Sequence, residues 1–364
     1  MVPGMPAPGA RLEGDTLVVE LGGRYKVLSS ISGLVSSEHI VFHHVPRGFS
    51  VRDVEAYRRE VARSHGLPEE TPVFLTAVEP GRHQVLSSGG VHVVATVGLE
   101  PPVCVEQERL YEPPMAGTIN IAVIVEEQVL TPAGLVDLLR VAVEAKTLAA
   151  SLLLLPCRGR ASGTATDAVA VAARVDEKGL PWAGMATRLG NTVARLVREA
   201  VLRGDRRSLG ERLRGALGLG PEELLEDMLR MYRRAPVPGV SLEEASRLLQ
   251  EMLDRVLRDP NVWAFLVAAR ELDIHGVSGT LPGLSRGGFE ADSRGIVADE
   301  ALAAALALYL AGFRGLLAAY WVDRSKHEAG LRLASLPVFG DDAAAALAGA
   351  LLARLYDRLL GTGV

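Results

Sequence analysis

The chain has 364 residues, of which 48% are hydrophobic, and a formal net charge of −5 at pH 7. A chain of this length is expected to form two domains, each with its own core. Its slightly acidic balance argues against a protein that neutralises phosphates along a nucleic acid, so no nucleic-acid partner is expected. Two cysteines are too few for a disulfide framework or a cysteine-rich zinc site and are consistent with a reducing cytosol. Because the first residues carry no secretory signal pattern, the expected location is cytoplasmic.

The first 204 residues alternate between strand and helix patterns. Short β-branched runs such as DTLVVEL and EHIVFHHV predict strands, and the segment between Ser50 and Gly66 predicts a helix capped by that serine. GTINIAVIV at 117–125 predicts a strand buried on both faces, followed by a helix with Thr131 as its cap. Another strand, TATDAVAVAARV, and another helix follow. This alternation predicts an α/β or α+β domain with a mixed sheet over residues 1–204.

Residues 205–364 have a different character, because they contain no convincing strand pattern and predict an all-α helical domain. The longest weakly polar stretch, Ala301–Trp321, is interrupted by Arg314 and predicts a buried helix, with membrane contact as the less favoured alternative. Helices are predicted near 208–217, 221–233, 241–258, 260–272, 298–312, 314–325 and 341–360.

One helix of the first domain carries a lysine in an unusual place. Lys146 is one of only four lysines, and it falls on the apolar side of its helix, where a charge is costly without a partner. Either its compact ammonium is aimed at one group, or its side chain extends to the helix end. Glu144 lies on another face, where it can pair with Arg140.

Two short polar motifs precede strands. In SGTATD, which ends at Asp167, the hydroxyl and carboxylate groups either form a ligand site or satisfy the backbone of an ordinary turn, and the spacing alone favours the turn. In GTIN, Gly117 allows close approach, and Thr118 and Asn120 lie on one face of a strand. Each motif by itself is a weak signal.

Taken in order, LSS, GTINIAVIV, EAKT and SGTATDAVAVAARV resemble the adenosylcobinamide amidohydrolase family over about residues 15–203. The resemblance implies hydrolysis of the amide that joins the aminopropanol arm of adenosylcobinamide to the corrin ring, which gives adenosylcobyric acid. The chain departs from the family at Val143, where a threonine is usual. A catalytic role for a hydroxyl at that position is therefore in doubt.

Amide hydrolysis needs a nucleophile, a proton donor for the leaving amine and stabilisation of the oxyanion. Thr164 or Thr166 could supply a hydroxyl nucleophile assisted by Lys146, or Asp167 or Glu144 could be the general base for water. We expect Glu144, Lys146 and Asp167 to act in catalysis. The expected substrate-binding residues are Ser29, Ser30, Thr118 and Asn120.

Carboxylates gather at two predicted helix starts in the second domain. Such residues are ordinarily N-terminal caps, each worth about 1 kcal/mol. If the loops converge, however, mutual repulsion would require a divalent cation, and an oxygen-rich site of this kind suits Mg²⁺ and a phosphate. The candidate metal ligands are Asp299, Glu300, Asp341 and Asp342, and the candidate catalytic residues between them are Asp323 and Lys326.

Residues 205–364 resemble the archaeal α-ribazole-5′-phosphate phosphatases, relatives of phosphatidylglycerophosphatase A. Segments such as EELLEDMLRMYRRAPVPGVSLEEA and DRSKHEAGLRLASLPVFGDDAAAALAGA carry the resemblance. The sequence departs from it at Ala303, where glycine is expected, and at His327, where proline is expected. The resemblance implies removal of the 5′-phosphate from α-ribazole phosphate or adenosylcobalamin phosphate.

Together the two resemblances predict a bifunctional cobalamin enzyme whose partners are a small-molecule corrinoid and α-ribazole phosphate, and an oligomer is compatible with them. A different class of protein, a corrinoid-binding protein with a helical dimerisation module, is the main alternative. A third interpretation makes the helical half a membrane-associated lipid phosphatase.

Overall fold

The computed structural model describes residues 9–104, 118–292 and 295–361. The chain divides into two compact units. The first comprises Met1–Leu153 and Arg160–Arg206, and the second comprises Leu154–Gly159 and Arg207–Val364. The first unit is built on a β-sheet and the second on helices, so the predicted combination of an α/β domain with an all-α domain is confirmed.

The main sheet of the first unit has the order β4-β3-β2-β10-β8-β6-β5, and β1 pairs with β2. It is mixed, because β8 and β10 are parallel, as are β3 and β4, whereas the other neighbours are antiparallel. A separate antiparallel pair joins β7 to β9. The strands are β1 Ala10–Glu13, β2 Thr16–Ser29, β3 Gly33–His44, β4 Val73–Thr76, β5 Gln84–Ser88, β6 Val91–Val97, β7 Pro102–Cys104, β8 Ile119–Leu130, β9 Ala161–Thr164 and β10 Ala168–Val175.

Three α-helices accompany this sheet in the part of the first unit that the structure describes. α2 begins as predicted, since Thr131 accepts a hydrogen bond from the backbone N–H of Gly134. The predicted cap of α1 is wrong: Asp53, rather than Ser50, accepts from the N–H of Ala56 at 2.9 Å. The helices are α1 Val54–Ser64, α2 Pro132–Leu152 and α3 Arg188–Gly204.

The core of the first unit surrounds β8, whose first seven residues are all buried. Successive side chains of a strand point to opposite faces of a sheet. One face of β8 packs Ala122 and Ile124 against Phe42 and Phe74, in a cluster that also includes Ala170 of β10. β8 and β10 lie at the centre of the sheet, so their N-terminal ends are held in a fixed relation.

The described part of the second unit contains helices and no strand. The predicted helices near 208–217, 221–233 and 241–258 are confirmed to within a few residues. Seven α-helices occupy the described residues here: α4 Leu209–Leu217, α5 Pro221–Arg234, α6 Leu242–Val256, α7 Pro260–Val277, α8 Arg286–Glu290, α9 Ala298–Ser325 and α10 Val338–Leu360.

Helix α9 is only partly buried. Its helical geometry breaks at Ala311 and Gly312, close to the predicted division into two helices. One side exposes large apolar residues, including Phe313 at 67% and Tyr320 at 60%, so the prediction of a buried helix is wrong for that face. By length and composition α9 could cross a membrane, but a single helix of this kind is weak support, because core helices can pass the same test.

Both cysteines, Cys104 and Cys157, are disulfide-bonded. The described residues therefore contain no free thiol. The count of two cysteines was taken as consistent with a reducing cytosol, and it did not indicate that both residues would be oxidised.

Candidate active site

The carboxylate of Asp167, in the turn between β9 and β10, accepts hydrogen bonds from four donors. Its Oδ1 accepts from the backbone N–H of Ile119 at 3.0 Å and from the hydroxyl of Thr164. Its Oδ2 accepts from the backbone N–H of Thr164 at 3.1 Å and from the ammonium of Lys146. This one carboxylate therefore connects the start of β8, the end of β9 and helix α2.

Lys146 has the partner that its position on an apolar helix face requires. The side chains of Lys146 and Asp167 are only 9% and 11% exposed, and their charges form an ion pair. An isolated buried charge is strongly unfavourable, whereas a paired and hydrogen-bonded one is tolerated. The lysine is therefore aimed at one group, which was the first of the two interpretations drawn from the sequence.

Gly163 leaves the space in which this ion pair forms. A Cβ atom at this position would lie 1.9 Å from Oδ2 of Asp167 and 2.5 Å from Nζ of Lys146. Both distances are far below any real contact of a Cβ atom, so only glycine fits. Gly163 lies inside the SGTATD motif but was not among the residues predicted to form the site.

A cavity of about 340 Å³ opens in the first unit and has a polar floor. Thr118 and Asn120 are buried, and Thr166 is exposed to the cavity. The Thr118 hydroxyl lies 2.7 Å from both Oδ1 of Asn120 and the carbonyl oxygen of Thr166, and the Asn120 amide donates to the carbonyl oxygen of Leu75 at 2.9 Å. The remaining lining residues are Ile31, Val45, Phe49, Ser50, Val51, Val54, Arg58, Phe74, Leu75, Ala77 and Ala168.

The cavity floor and the ion pair are adjacent. Thr118 directly precedes Ile119, and Thr166 directly precedes Asp167, so each floor residue is one position away from a residue that contacts or forms the pair. The parallel register of β8 and β10, in which Asn120 lies beside Ala168, brings the two segments together. The arrangement thus places polar groups beside an apolar pocket at one edge of the sheet, as is common in small-molecule sites.

Ser29 and Ser30 use their side chains to hold the backbone. Ser29 Oγ accepts from the N–H of Ile31 at 3.0 Å, and Ser30 Oγ accepts from the N–H of Val169 at 3.1 Å. The first bond positions Ile31, which lines the cavity, and the second ties Ser30 to β10. The expectation that the serines bind substrate stays a prediction.

Glu144 is placed apart from the ion pair. Its side chain is 42% exposed, and its Oε1 accepts from Arg140 at 2.5 Å on the outer face of α2. Arg140 also pairs with Asp137, as the spacing along the helix predicts. The structure therefore brings Lys146, Asp167 and Thr164 together and leaves Glu144 outside this group.

In the second unit, two groups of carboxylates lie close enough to share a cation. The first group is Asp299, Glu300 and Asp342, and the second is Asp323, Asp341 and Asp342. In each group, one oxygen from every residue lies within 4.8 Å of the others. The residues suggested by the sequence therefore converge, and Asp342 belongs to both groups.

Lys326 is the cation of this cluster. Its Nζ lies 2.6 Å from both carboxylate oxygens of Asp341 and 2.7 Å from Oδ1 of Asp323. Burial alone would lower the pKa of Lys326, but its contacts with Asp323 and Asp341 outweigh burial and raise it. Lys326 is therefore held as an ammonium ion beside the carboxylates.

Three carboxylates of the cluster, those of Glu300, Asp341 and Asp342, hold protons more tightly than ordinary acidic side chains. Burial, with repulsion from neighbouring carboxylates, raises the pKa of Asp341 to about 6 and that of Asp342 to about 7. A hydrogen bond with Asp299 and burial raise the pKa of Glu300. Oxygen ligands with mutual repulsion are the chemistry that Mg²⁺ suits, so the donor set fits that ion.

Two solved structures resemble this chain weakly. The low temperature requirement C protein from Listeria monocytogenes is 22% identical with a TM-score of 0.34, and the alignment covers 43% of this chain and 99% of that chain. Protein ypjQ from Bacillus subtilis is 18% identical with a TM-score of 0.35, covering 43% of this chain and 100% of that chain. At such scores the likeness carries no argument.

Sequence comparison gives a clear result for the first part of the chain. The model of the family described as adenosylcobinamide amidohydrolase matches residues 8–212. An adenosylcobinamide amidohydrolase from Methanosarcina mazei is 30% identical over 209 residues, which cover 54% of this chain and 96% of that relative. The matched residues include the whole Lys146, Asp167 and Thr164 cluster and the cavity beside it. The chain belongs to the adenosylcobinamide amidohydrolase family.

Proposed function

We propose that the first unit hydrolyses the amide between the aminopropanol arm and the corrin ring of adenosylcobinamide, releasing adenosylcobyric acid. Family membership supports this activity. The observation that carries it is the buried Lys146 and Asp167 pair, with the Thr164 hydroxyl on the same carboxylate, next to a cavity with a polar floor. A cavity of about 340 Å³ is at the small end of ligand sites, which suits the substrate arm.

The cluster contains the parts that amide hydrolysis needs. The Thr164 hydroxyl already donates to Asp167, so the carboxylate can accept its proton as the oxygen attacks the amide carbon. Lys146, bonded to the same carboxylate, can give a proton to the amine as the C–N bond breaks and can then recover one from Asp167. Water subsequently hydrolyses the acyl group on Thr164, and the protons balance over the cycle.

The cavity floor would orient the amide. The hydroxyls of Thr118 and Thr166 and the side chain of Asn120 are uncharged, which suits a neutral amide better than a charged group would. Asn120 is held by its bond to the carbonyl oxygen of Leu75, so its position is fixed before substrate arrives. Such preorganisation lowers the cost of reaching the reactive geometry.

Direct assay of the purified chain tests this proposal. Incubation with adenosylcobinamide should release equimolar adenosylcobyric acid and aminopropanol, which chromatography of the corrinoid detects. A corrinoid-binding protein of the alternative class would bind the substrate and release no acid. Binding without turnover, under conditions where the chain is folded, would therefore reject the amidohydrolase proposal.

The Glu144→Gln variant should retain nearly full activity, with kcat/KM within about twofold of the parent. Its carboxylate is exposed and paired with Arg140, so its replacement removes a surface ion pair, typically worth less than about 1 kcal/mol. Steady-state kinetics with adenosylcobinamide would measure the effect. A loss of a hundredfold or more would show that Glu144 takes part in the chemistry, as the sequence suggested.

A second activity is favoured by a separate observation. We propose that the second unit is a Mg²⁺-dependent phosphatase for α-ribazole 5′-phosphate or adenosylcobalamin 5′-phosphate, because six polar residues predicted from the sequence converge in one place. Asp299, Glu300 and Asp342 would be able to hold one ion, and Asp323, Asp341 and Asp342 form a second group of the same kind. When bound, Mg²⁺ would neutralise phosphate charge and polarise the phosphoryl group. Lys326 would add a positive charge for the substrate phosphate.

Mg²⁺ should raise the melting temperature more at pH 8 than at pH 5. The folded-state pKa values of Asp341 and Asp342, about 6 and about 7, lie above the ordinary value of about 3.9. Between about pH 4 and pH 7 the folded state therefore binds more protons than the unfolded state, so without metal these groups make stability fall as pH rises. Mg²⁺ competes with those protons, and at about 100 times its Kd it would contribute about 2.7 kcal/mol.

Thermal unfolding at the two pH values, with and without Mg²⁺, measures this linkage. Asp342→Asn should reduce both the Mg²⁺ effect and the pH dependence, whereas the exposed carboxylate change Asp254→Asn should leave them unchanged. An equal Mg²⁺ effect at pH 5 and pH 8, or in both variants, would contradict a metal site at these carboxylates.

A further inference from the structure

Arg58 is the one ionised side chain among the described residues that line the cavity of the first unit. It projects from α1 together with Val54, which also lines the cavity. The other lining groups are apolar side chains and uncharged hydroxyls and an amide. Placing a guanidinium in such surroundings is energetically costly, because few groups around it replace the water that it loses.

The guanidinium of Arg58 is incompletely paired. Its side chain is 18% exposed, and one terminal nitrogen donates to Glu55 at 2.5 Å. Its Nε is buried and has no hydrogen-bond partner within the described ranges. Buried donors in native proteins nearly always have partners, so an orphaned one on a side chain that lines a cavity points to a group that completes the guanidinium when the cavity is filled. Glu55, which is 61% exposed, occupies one terminal nitrogen, and the second terminal nitrogen has no partner within the described ranges.

The proposed reaction creates such an oxygen. The substrate arm enters as a neutral amide and has no charge for Arg58 to bind. Hydrolysis breaks the C–N bond, leaves the oxygen of water on the former carbonyl carbon, and produces a carboxylate that is ionised at neutral pH. Charge also develops on the carbonyl oxygen as the tetrahedral intermediate forms. Negative charge therefore appears in this cavity only as the reaction proceeds.

We propose that Arg58 is the anion-binding group of the cavity and holds the carboxylate of the corrinoid acid that hydrolysis produces. The identity of this carboxylate rests on the proposed function of the first unit. Arginine suits this role because its planar fork can donate two hydrogen bonds to one carboxylate. The cavity thus binds product more tightly than a neutral arm of the same shape, which makes product release a slow part of the cycle.

Binding measurements distinguish this role from simple packing. Isothermal titration with adenosylcobyric acid should give a Kd at least tenfold higher for Arg58→Gln than for the parent chain, which corresponds to about 1.4 kcal/mol. Arg58→Lys, which keeps the charge and loses the fork, should fall between the two. Arg59→Gln is the matched control, because Arg59 is the next residue of α1, is exposed, and loses the same charge. Its Kd should equal that of the parent.

Substrate kinetics provide the second measurement. KM for adenosylcobinamide, whose amide arm is uncharged, should change less than threefold in Arg58→Gln, and inhibition by added adenosylcobyric acid should weaken in step with the rise in Kd. Equal effects of Arg58→Gln and Arg59→Gln on product binding, or equal weakening of substrate and product, would overturn the proposal. If the parent chain turns over adenosylcobinamide but Arg58→Gln leaves the Kd of adenosylcobyric acid unchanged, the Arg58 proposal alone is rejected. If Arg58→Gln raises the Kd of adenosylcobyric acid but the parent chain does not hydrolyse adenosylcobinamide, the proposed function alone is rejected.

Discussion

The Gly163→Ala variant is expected to lose at least a hundredfold in kcat/KM for adenosylcobinamide. The added Cβ would occupy the space of Oδ2 of Asp167, at 1.9 Å, and crowd Nζ of Lys146, at 2.5 Å. Asp167 cannot move away cheaply, because the backbone N–H groups of Ile119 and Thr164 hold its carboxylate. The ion pair would therefore separate, and displaced catalytic groups commonly cost about 10²-fold or more.

The same substitution should also destabilise the first unit by about 3–5 kcal/mol, the typical result when a buried charge loses its partner. Gly81→Ala is the matched control, because a Cβ there meets only Cδ2 of Leu12 at an ordinary 4.0 Å. Urea unfolding and steady-state kinetics of both variants would measure the two effects. A fully active and stable Gly163→Ala variant would show that the Lys146 and Asp167 contact is unimportant.

Lys146→Met should lower kcat by at least a hundredfold while the chain stays folded. Methionine fills a similar volume on the buried face of α2 but has no proton to give to the leaving amine. Asp167 would keep its hydrogen bonds from Ile119 and Thr164 but would become a buried charge without its cation, so the free energy of unfolding should also fall. Kinetics with adenosylcobinamide, together with urea unfolding of the same preparation, separates the loss of chemistry from the loss of structure.

Asp167→Asn makes a useful comparison with Lys146→Met. An asparagine amide nitrogen would face an N–H or ammonium donor, so this variant should lose activity and more stability than Lys146→Met. Normal turnover in Lys146→Met would contradict the proposed proton transfers, even if Asp167→Asn were inactive. Such a result would leave Asp167 with a purely structural role in the turn.

The sequence predicted helix boundaries well where a few neighbouring residues determine them. Thr131 as the cap of α2 and the break of α9 near Gly312 depend on a few neighbouring residues, and both were found. The predicted start of α1 was wrong because serine and aspartate, at positions 50 and 53, are both good N-terminal caps. Only the path of the chain decides which of them accepts from the first turn, and this is not encoded in the residue types alone.

The site was harder to predict, because its contacts join distant parts of the chain. A helix face count placed Lys146 correctly on the buried side of α2. Its partner, Asp167, is 21 residues away and reaches it only through the parallel pairing of β8 and β10. Arg58 gave no signal, because arginine is the usual basic residue of this chain and nothing local marks one that faces a cavity.

The two interpretations of the SGTATD motif were not exclusive alternatives. Asp167 does satisfy the backbone of its own turn, through the N–H of Thr164, as residue spacing favoured. The same carboxylate also accepts from Lys146, which the turn pattern could not reveal. A residue that looks like ordinary turn chemistry can therefore hold a buried lysine in place.

The carboxylate of Asp167 joins the start of β8 in the main sheet to β9 and to helix α2, so three elements fix the position of the cluster at once. Moving Lys146 or Thr164 by an ångström would mean separating elements that the core holds together, unlike the rearrangement of a surface loop. The first unit therefore has little scope for assembling its reactive groups around an arriving corrinoid. Adaptation to the shape of the substrate is then expected from the apolar wall of the cavity, where Phe49 and Val51 lie in the segment between β3 and α1 rather than in a strand or helix.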